Sequence, residues 1–152
     1  MADTTFVYVT YISTTPEKVW AALSDPEMTK DYWARHRNVS DWKPGSTWAH
    51  EDIDSGTADV VGQVIESEPP TKLVLSWDSP KAPGRPSRVT FQIEPFMEAV
   101  RLTVIHEELE VDSPMHKGVS QGWPAVLSSL KTMIETGKAM PMTMKRWHAP
   151  PK

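Results

Sequence analysis

The chain has 152 residues, of which 24% are charged and 39% hydrophobic, and a formal net charge of −4. That length suits one domain, the apolar fraction is too high for a disordered chain, and the acidic excess disfavours nucleic acid, which is bound through clustered Lys and Arg. The lack of cysteine excludes disulfides, thiol catalysis and zinc–thiolate sites; no secretory leader and no apolar run of ~20 residues is visible, so the expectation is a cytoplasmic protein without a membrane span.

Residues 5–12 are β-branched and aromatic and predict a first strand buried on most of its length. Thr15-Pro16 then opens a short helix with Val19, Trp20 and Leu23 on one face, because a threonine can cap free amides and proline suits the first helical position. Asp25-Pro26 repeats the signal for a second helix ending near Tyr32-Trp33. From there the period changes to two. Strands are expected around 39–42, 46–51, 59–68, 73–77, 89–94 and 101–109, separated by turn residues at Lys43-Pro44-Gly45, Asp54-Ser55-Gly56, Pro69-Pro70 and Pro80 to Pro86. Val89, Phe91 and Ile93 alternate with polar residues, as do Leu102, Val104 and His106, so one face of the sheet is buried.

A longer helix is expected over 122–136. Val126, Leu127, Leu130, Met133 and Ile134 recur at helical spacing, Trp123 falls in its first turn, and Gly137 follows as a stop. The remaining residues, 138–152, carry Met140, Met142, Met144 and Trp147 without periodicity and read as a tail that docks on the domain or on a second subunit. The order of one strand, two short helices, six strands and one long helix has no strand–helix alternation after its start. It predicts an α+β helix-grip fold, a curved antiparallel sheet of six to seven strands around the C-terminal helix, in a single domain over 1–137. Such a sheet gripping one helix leaves room between them for a small molecule.

Motif chemistry is sparse. The run His50 to Asp54 suggests a metal site, and Asp52, Asp54 and Gly56 hint at a calcium loop, but Gly56 and Gln63 stand where that loop needs acidic ligands, so the run reads as an exposed acidic strand end and no metal site is expected. His106-Glu107 begins like a zinc-protease motif but lacks the second histidine and sits on a strand. The alternation instead turns His106 into the pocket, where it would orient a ligand or act as a base. Ser128 and Lys131 have serine–lysine spacing without the companion motifs, on the wet face of the helix. Seven tryptophans and eight methionines are a heavy load that fits either a core rich in aromatics or the lining of a site for varied apolar ligands.

Several segments together resemble a known family. They are 14–23 with Asp25-Pro26 and Tyr32-Trp33, then 41–46, Glu68-Pro69-Pro70, 73–77, 102–107, and 122–131 through Gly137. This pattern is similar to the bacterial proteins named after the activator of the Hsp90 ATPase, and the likeness runs from about Phe6 to Gly137. The resemblance implies the START-like, Bet v 1-like helix-grip superfamily, whose members include lipid carriers, polyketide cyclases and hydroxylase subunits. It also implies a chaperone partner, although the eukaryotic activators use a second, N-terminal domain for which this sequence shows no segment.

The leading expectation is a binding protein for a small hydrophobic or amphipathic molecule, lipid-like or aromatic, with no cofactor and no catalysis. Trp33, Trp77, Phe91, Leu102, Val104 and Trp123 would supply apolar surface, and His106 would orient a polar group. A cyclase- or hydrolase-type enzyme using His106, and a protein-interaction module of the Hsp90 co-chaperone or homodimer kind, are the alternatives.

Overall fold

Three helices open on the same chemical device, a capping side chain followed by proline at the first helical position. The computed structural model describes residues 3–81 and 84–145. In it Thr15 caps α1 (Pro16–Ser24), Asp25 caps α2 (Pro26–Tyr32) and Ser113 caps α3 (Pro114–Thr136). The carboxylate of Asp25 accepts from the Glu27 amide at 2.9 Å, and Ser113 Oγ accepts from the His116 amide at 3.1 Å. Helix α3 ends on Gly137, whose positive φ of 87° and bond from its N–H to the Met133 carbonyl close the last turn.

Helix α3 corrects the expected start at Gly122. It begins at Pro114 and runs through Pro124, so Trp123 lies within the helix and not in its first turn. Proline inside a helix removes one hydrogen bond, but here the buried stripe of Val119, Trp123, Val126, Leu127 and Leu130 carries the helix across that point.

The strands are β1 (Asp3–Ile12), β2 (His36–Ser40), β3 (Thr47–Asp52), β4 (Ala58–Glu68), β5 (Lys72–Trp77), β6 (Ser87–Phe96) and β7 (Ala99–Glu110). They form one antiparallel sheet in the order β1-β7-β6-β5-β4-β3-β2. Consecutive strands from β2 to β7 are neighbours, and β1 closes the far edge against β7. Its edge position corrects the expectation for β1. Alternate side chains, among them Val7, Val9 and Tyr11, are exposed, and only the opposite face turns inward.

The core gathers Val19 and Leu23 of α1, Leu127 and Leu130 of α3, and the inward residues of β5, β6 and β7, including Leu73, Val89, Phe91, Leu102 and Val104. The segment after α3 folds back on it. The Met140 amide donates to Ser129 Oγ at 2.9 Å, and the Thr143 hydroxyl pairs with Ser129 at 2.5 Å beneath the short 3-10 turn Pro141–Thr143. Met140 is half-buried, whereas Met142 and Met144 remain exposed; Trp147 lies outside the described residues. No helix among the described residues is long and apolar enough to cross a membrane.

Leu130 is fully buried. Leu130→Ala should therefore destabilise the domain by about 2–5 kcal/mol, the cost of lost burial plus a cavity. Denaturant unfolding measures this, and a change near zero would contradict the packing.

Candidate functional site

At the β2–β4 end of the sheet the usual alternation is inverted. Strand β2 turns His36 and Asn38 inward and leaves Val39 outside, while β3 turns Trp48, His50 and Asp52 inward. Their register sets His36 opposite Asp52 and Asn38 opposite His50. Asp52 is only 2% exposed, which corrects the reading of 50–54 as an exposed acidic strand end. Between α2 and β2, Ala34 and Arg35 take left-handed φ values of 51° and 61°. This turn brings Trp33 and His36 to the same space.

That space is a cavity of about 620 Å³ between the β2–β4 end of the sheet and the N-terminal half of α3. Its volume suits a small organic molecule. Trp33, Trp77 and Trp123 form one wall, with ring centroids 5.2 Å apart for Trp33 and Trp123, 5.5 Å for Trp77 and Trp123, and 6.3 Å for Trp33 and Trp77. His36, His50, Asp52 and Asp59 form the polar wall, and Met115 and Val119 of α3 also contribute. The two imidazoles stack, with centroids 4.2 Å apart and planes 6° from parallel. His50 donates from Nδ1 to Asn38 Oδ1 at 2.6 Å, and burial holds its pKa well below that of a free imidazole. The carboxyl of Asp59 is held below its ordinary pKa by the His36 and Lys81 interactions, which outweigh the opposing effect of its partial burial.

The residues expected from sequence divide into two groups. Trp33, Trp77 and Trp123 line the cavity. Phe91, Leu102, Val104 and His106 lie behind the lining, each at most 2% exposed. His106 is held on both sides. Trp123 Nε1–H donates to its Nδ1 at 3.1 Å, and since indole only donates, the proton of the neutral ring sits on Nε2. Nε2 lies 2.7 Å from Ser87 Oγ, whose hydroxyl donates on to the Trp77 carbonyl at 3.2 Å. Burial lowers the His106 pKa to about 3, so the ring is neutral at physiological pH. It is the hub of a packed relay with no nitrogen offered to the cavity. Lys131 is likewise engaged elsewhere, with the Tyr11 carbonyl and the Glu135 carboxylate, each at 2.7 Å.

Sequence reasoning missed His36 and Asp59, and set aside His50 and Asp52 when the calcium-loop match failed. The signal was present as the alternations His36-x-Asn38 and Trp48-x-His50-x-Asp52, but apolar residues are normally taken to mark the inward face.

Burial of His106 and His50 makes stability pH-dependent in a definite direction. The unfolded chain takes up protons near pH 6.5 that the folded chain refuses, so this stability is fully present above about pH 6.5 and is lost as pH falls toward 3. His106 adds a slope of about 1.4 kcal/mol per pH unit within that window, and His50 acts in the same direction. His106→Gln, whose amide can still accept from Trp123 and donate to Ser87, should lower the slope between about pH 6.5 and 5 by about one proton's worth. Denaturant unfolding at several pH values measures it, and an unchanged slope would refute the neutral buried ring.

No curated protein matches the sequence significantly. Among solved structures, CalU16 from Micromonospora echinospora is 21% identical with a TM-score of 0.72, over 92% of this chain and 79% of that one. An HSP90 activator from Plasmodium falciparum is 17% identical with a TM-score of 0.72, over 86% of this chain and 95% of that one. The Aha1 dimer from Colwellia psychrerythraea is 20% identical with a TM-score of 0.72, over 90% of this chain and 99% of that one. At these identities the likeness is one of fold, which is the Bet v 1-like helix grip. The family described as Activator of Hsp90 ATPase homolog 1-like protein matches residues 13–135, and the chain belongs to that family.

Proposed function

We propose that this protein binds a small apolar or amphipathic molecule, aromatic or lipid-like, in the cavity between the β2–β4 end of the sheet and α3, and performs no chemistry on it. One observation carries the reading: a cavity of about 620 Å³ with Trp33, Trp77 and Trp123 along one wall and polar groups along another. Such a surface gains affinity by removing apolar area from water at roughly 25 cal/mol per Å², less the cost of ordering the partners. Five carboxylates line the cavity (Asp52, Asp59, Asp78, Glu108 and Glu110), with Arg85 as the one arginine, and Asp3 already pairs with that arginine. This charge favours a neutral or cationic ligand over a fatty-acid anion. The binding role is also supported by His106, whose two nitrogens are committed to Trp123 and Ser87, away from any substrate.

The neutral dye N-phenyl-1-naphthylamine tests this. It should bind one molecule per chain and quench tryptophan fluorescence. Trp33→Ala should weaken binding about tenfold, equivalent to about 1.4 kcal/mol. Met115→Trp, which narrows the cavity, should reduce it as well. Absence of saturable binding, or turnover of an ester or polyketide-like substrate that His106→Ala abolishes, would overturn the reading.

A second reading, an interaction module or homodimer, is favoured by a different surface. Val7, Val9 and Tyr11 on the outer face of β1 are 55%, 46% and 44% exposed, and Phe96, at 39%, packs on Tyr11 with a centroid separation of 5.2 Å. Apolar side chains grouped on an edge strand mark pairing surfaces, and two of the structural neighbours are an HSP90 activator and a dimer. Sedimentation velocity should then report a dimer that Val9→Asp dissociates; a monomer at all concentrations would exclude self-association through this face.

A further inference from the structure

We infer that His36, Asp52 and Asp59 form a site for a divalent transition-metal ion on the polar wall of the cavity. The inference shares Asp52 and Asp59 with the small-molecule reading, but it stands on side chains outside the tryptophan wall, and its test reads metal binding directly.

Three strands assemble the site. His36 on β2 pairs directly with Asp52 on β3. Between β3 and β4 the register runs from His50 opposite Val60 to Glu51 opposite Ala58, so Asp59 is the extra residue of a bulge. A bulge re-aims a side chain, and here it brings the Asp59 carboxylate to 2.7 Å from His36 Nε2. One ligand atom from each of the three residues lies within 4.8 Å of the others. That is the spread expected around one ion with metal–ligand bonds of about 2.0–2.2 Å.

The surroundings orient these atoms as metal ligands are oriented. His36 Nδ1 lies 2.8 Å from the Ala34 carbonyl, which can only accept, so the proton sits there and Nε2 faces the carboxylates. A coordinating histidine characteristically donates its other N–H to a backbone carbonyl. The Asp52 carboxylate accepts from the Asp54 amide at 2.8 Å, which fixes its direction. In the metal-free structure Nε2 meets the Asp59 carboxylate at 2.7 Å, a contact that a bound ion would replace.

His50 stands beside the three ligands. It is 7% exposed, stacks on His36 and lines the same cavity. Its Nδ1–H is spent on Asn38, and Nε2 takes no hydrogen bond among the described residues. That nitrogen is not a fully enclosed atom and faces the cavity. Beside a metal ion it can accept from a coordinated water.

Charge and ligand type narrow the ion. Two carboxylates and one neutral imidazole match a divalent cation, and the nearest competing charge is Lys81, 3.6 Å from Asp59 and 76% exposed. A mixed nitrogen–oxygen set of three with an open position suits zinc, cobalt, manganese or ferrous iron better than calcium or magnesium, which prefer oxygen alone. Spacings of 16 and 7 residues along the chain match no local metal motif, which is why the sequence did not announce the site.

Calorimetric titration of chelator-treated full-length protein with Zn²⁺, and absorption titration with Co²⁺, tests the assignment. One ion per chain should bind at micromolar Kd or tighter, Co²⁺ should develop ligand-field bands, and thermal unfolding should shift upward with metal. His36→Ala and the milder Asp59→Asn should each weaken binding at least about tenfold, while Lys81→Ala should strengthen it. Circular dichroism verifies that the variants fold; Asp59→Asn, on a partly exposed bulge, keeps the test open if His36→Ala does not. No saturable binding of either ion, or binding of unchanged affinity in Asp59→Asn, would overturn the inference.

Discussion

Helix α3 is tied to the sheet through one buried polar chain, and the shape of the molecule depends on it. Trp123 donates to His106, His106 lies against Ser87, and Ser87 reaches the Trp77 carbonyl. The chain joins α3 to β7, β6 and β5, and each of these polar atoms finds a partner. Buried polar groups left unpaired are expensive, so this relay tolerates one seating of the helix over the sheet. Apolar contacts alone would allow Leu127 and Leu130 to slide along a uniformly greasy surface.

That seating divides the concave face in two. Toward β5–β7, the inward leucines, valines and Phe91 meet α1 and the C-terminal half of α3, and the space is filled. Toward β2–β4, the polar residues His36, Asn38, His50 and Asp52 turn inward beside Trp48, and the helix presents Val119, Trp123 and Val126 to a cavity. The same fold thus holds a dry, packed half that provides stability and an open half that contains the cavity. The tryptophans stand on the boundary, which is why Trp77 and Trp123 serve both the relay and the cavity wall.

Membership in the family fixes the scaffold without fixing the cargo, because helix-grip domains host unrelated functions on one architecture. The polar wall is what gives this cavity its chemical character. Two stacked histidines and two carboxylates from three strands form a cluster that an apolar pocket does not require. Whether occupied by a ligand's polar end or by a metal ion, they give one side of the cavity a direction that the tryptophans lack.

The sequence by itself determined the class of fold and most of its parts. Cap-proline pairs at Thr15 and Asp25, the period-two pattern of Val89 to Ile93 and Leu102 to His106, and Gly137 as a stop are local devices, legible because they act within a few residues. The same device at Ser113-Pro114 was obscured by Gly118, Gly122 and Pro124, whose breaking tendency is outweighed by burial of the stripe beneath them. Only the tertiary structure decided which residues meet. His106 followed the alternation inward as expected, yet whether inward meant cavity or core depended on where Trp123 landed, and it landed on the ring. His36, Asp52 and Asp59 are far apart in the chain and join only through β-sheet register and a bulge, which are set by packing between strands and not by the residues' own preferences.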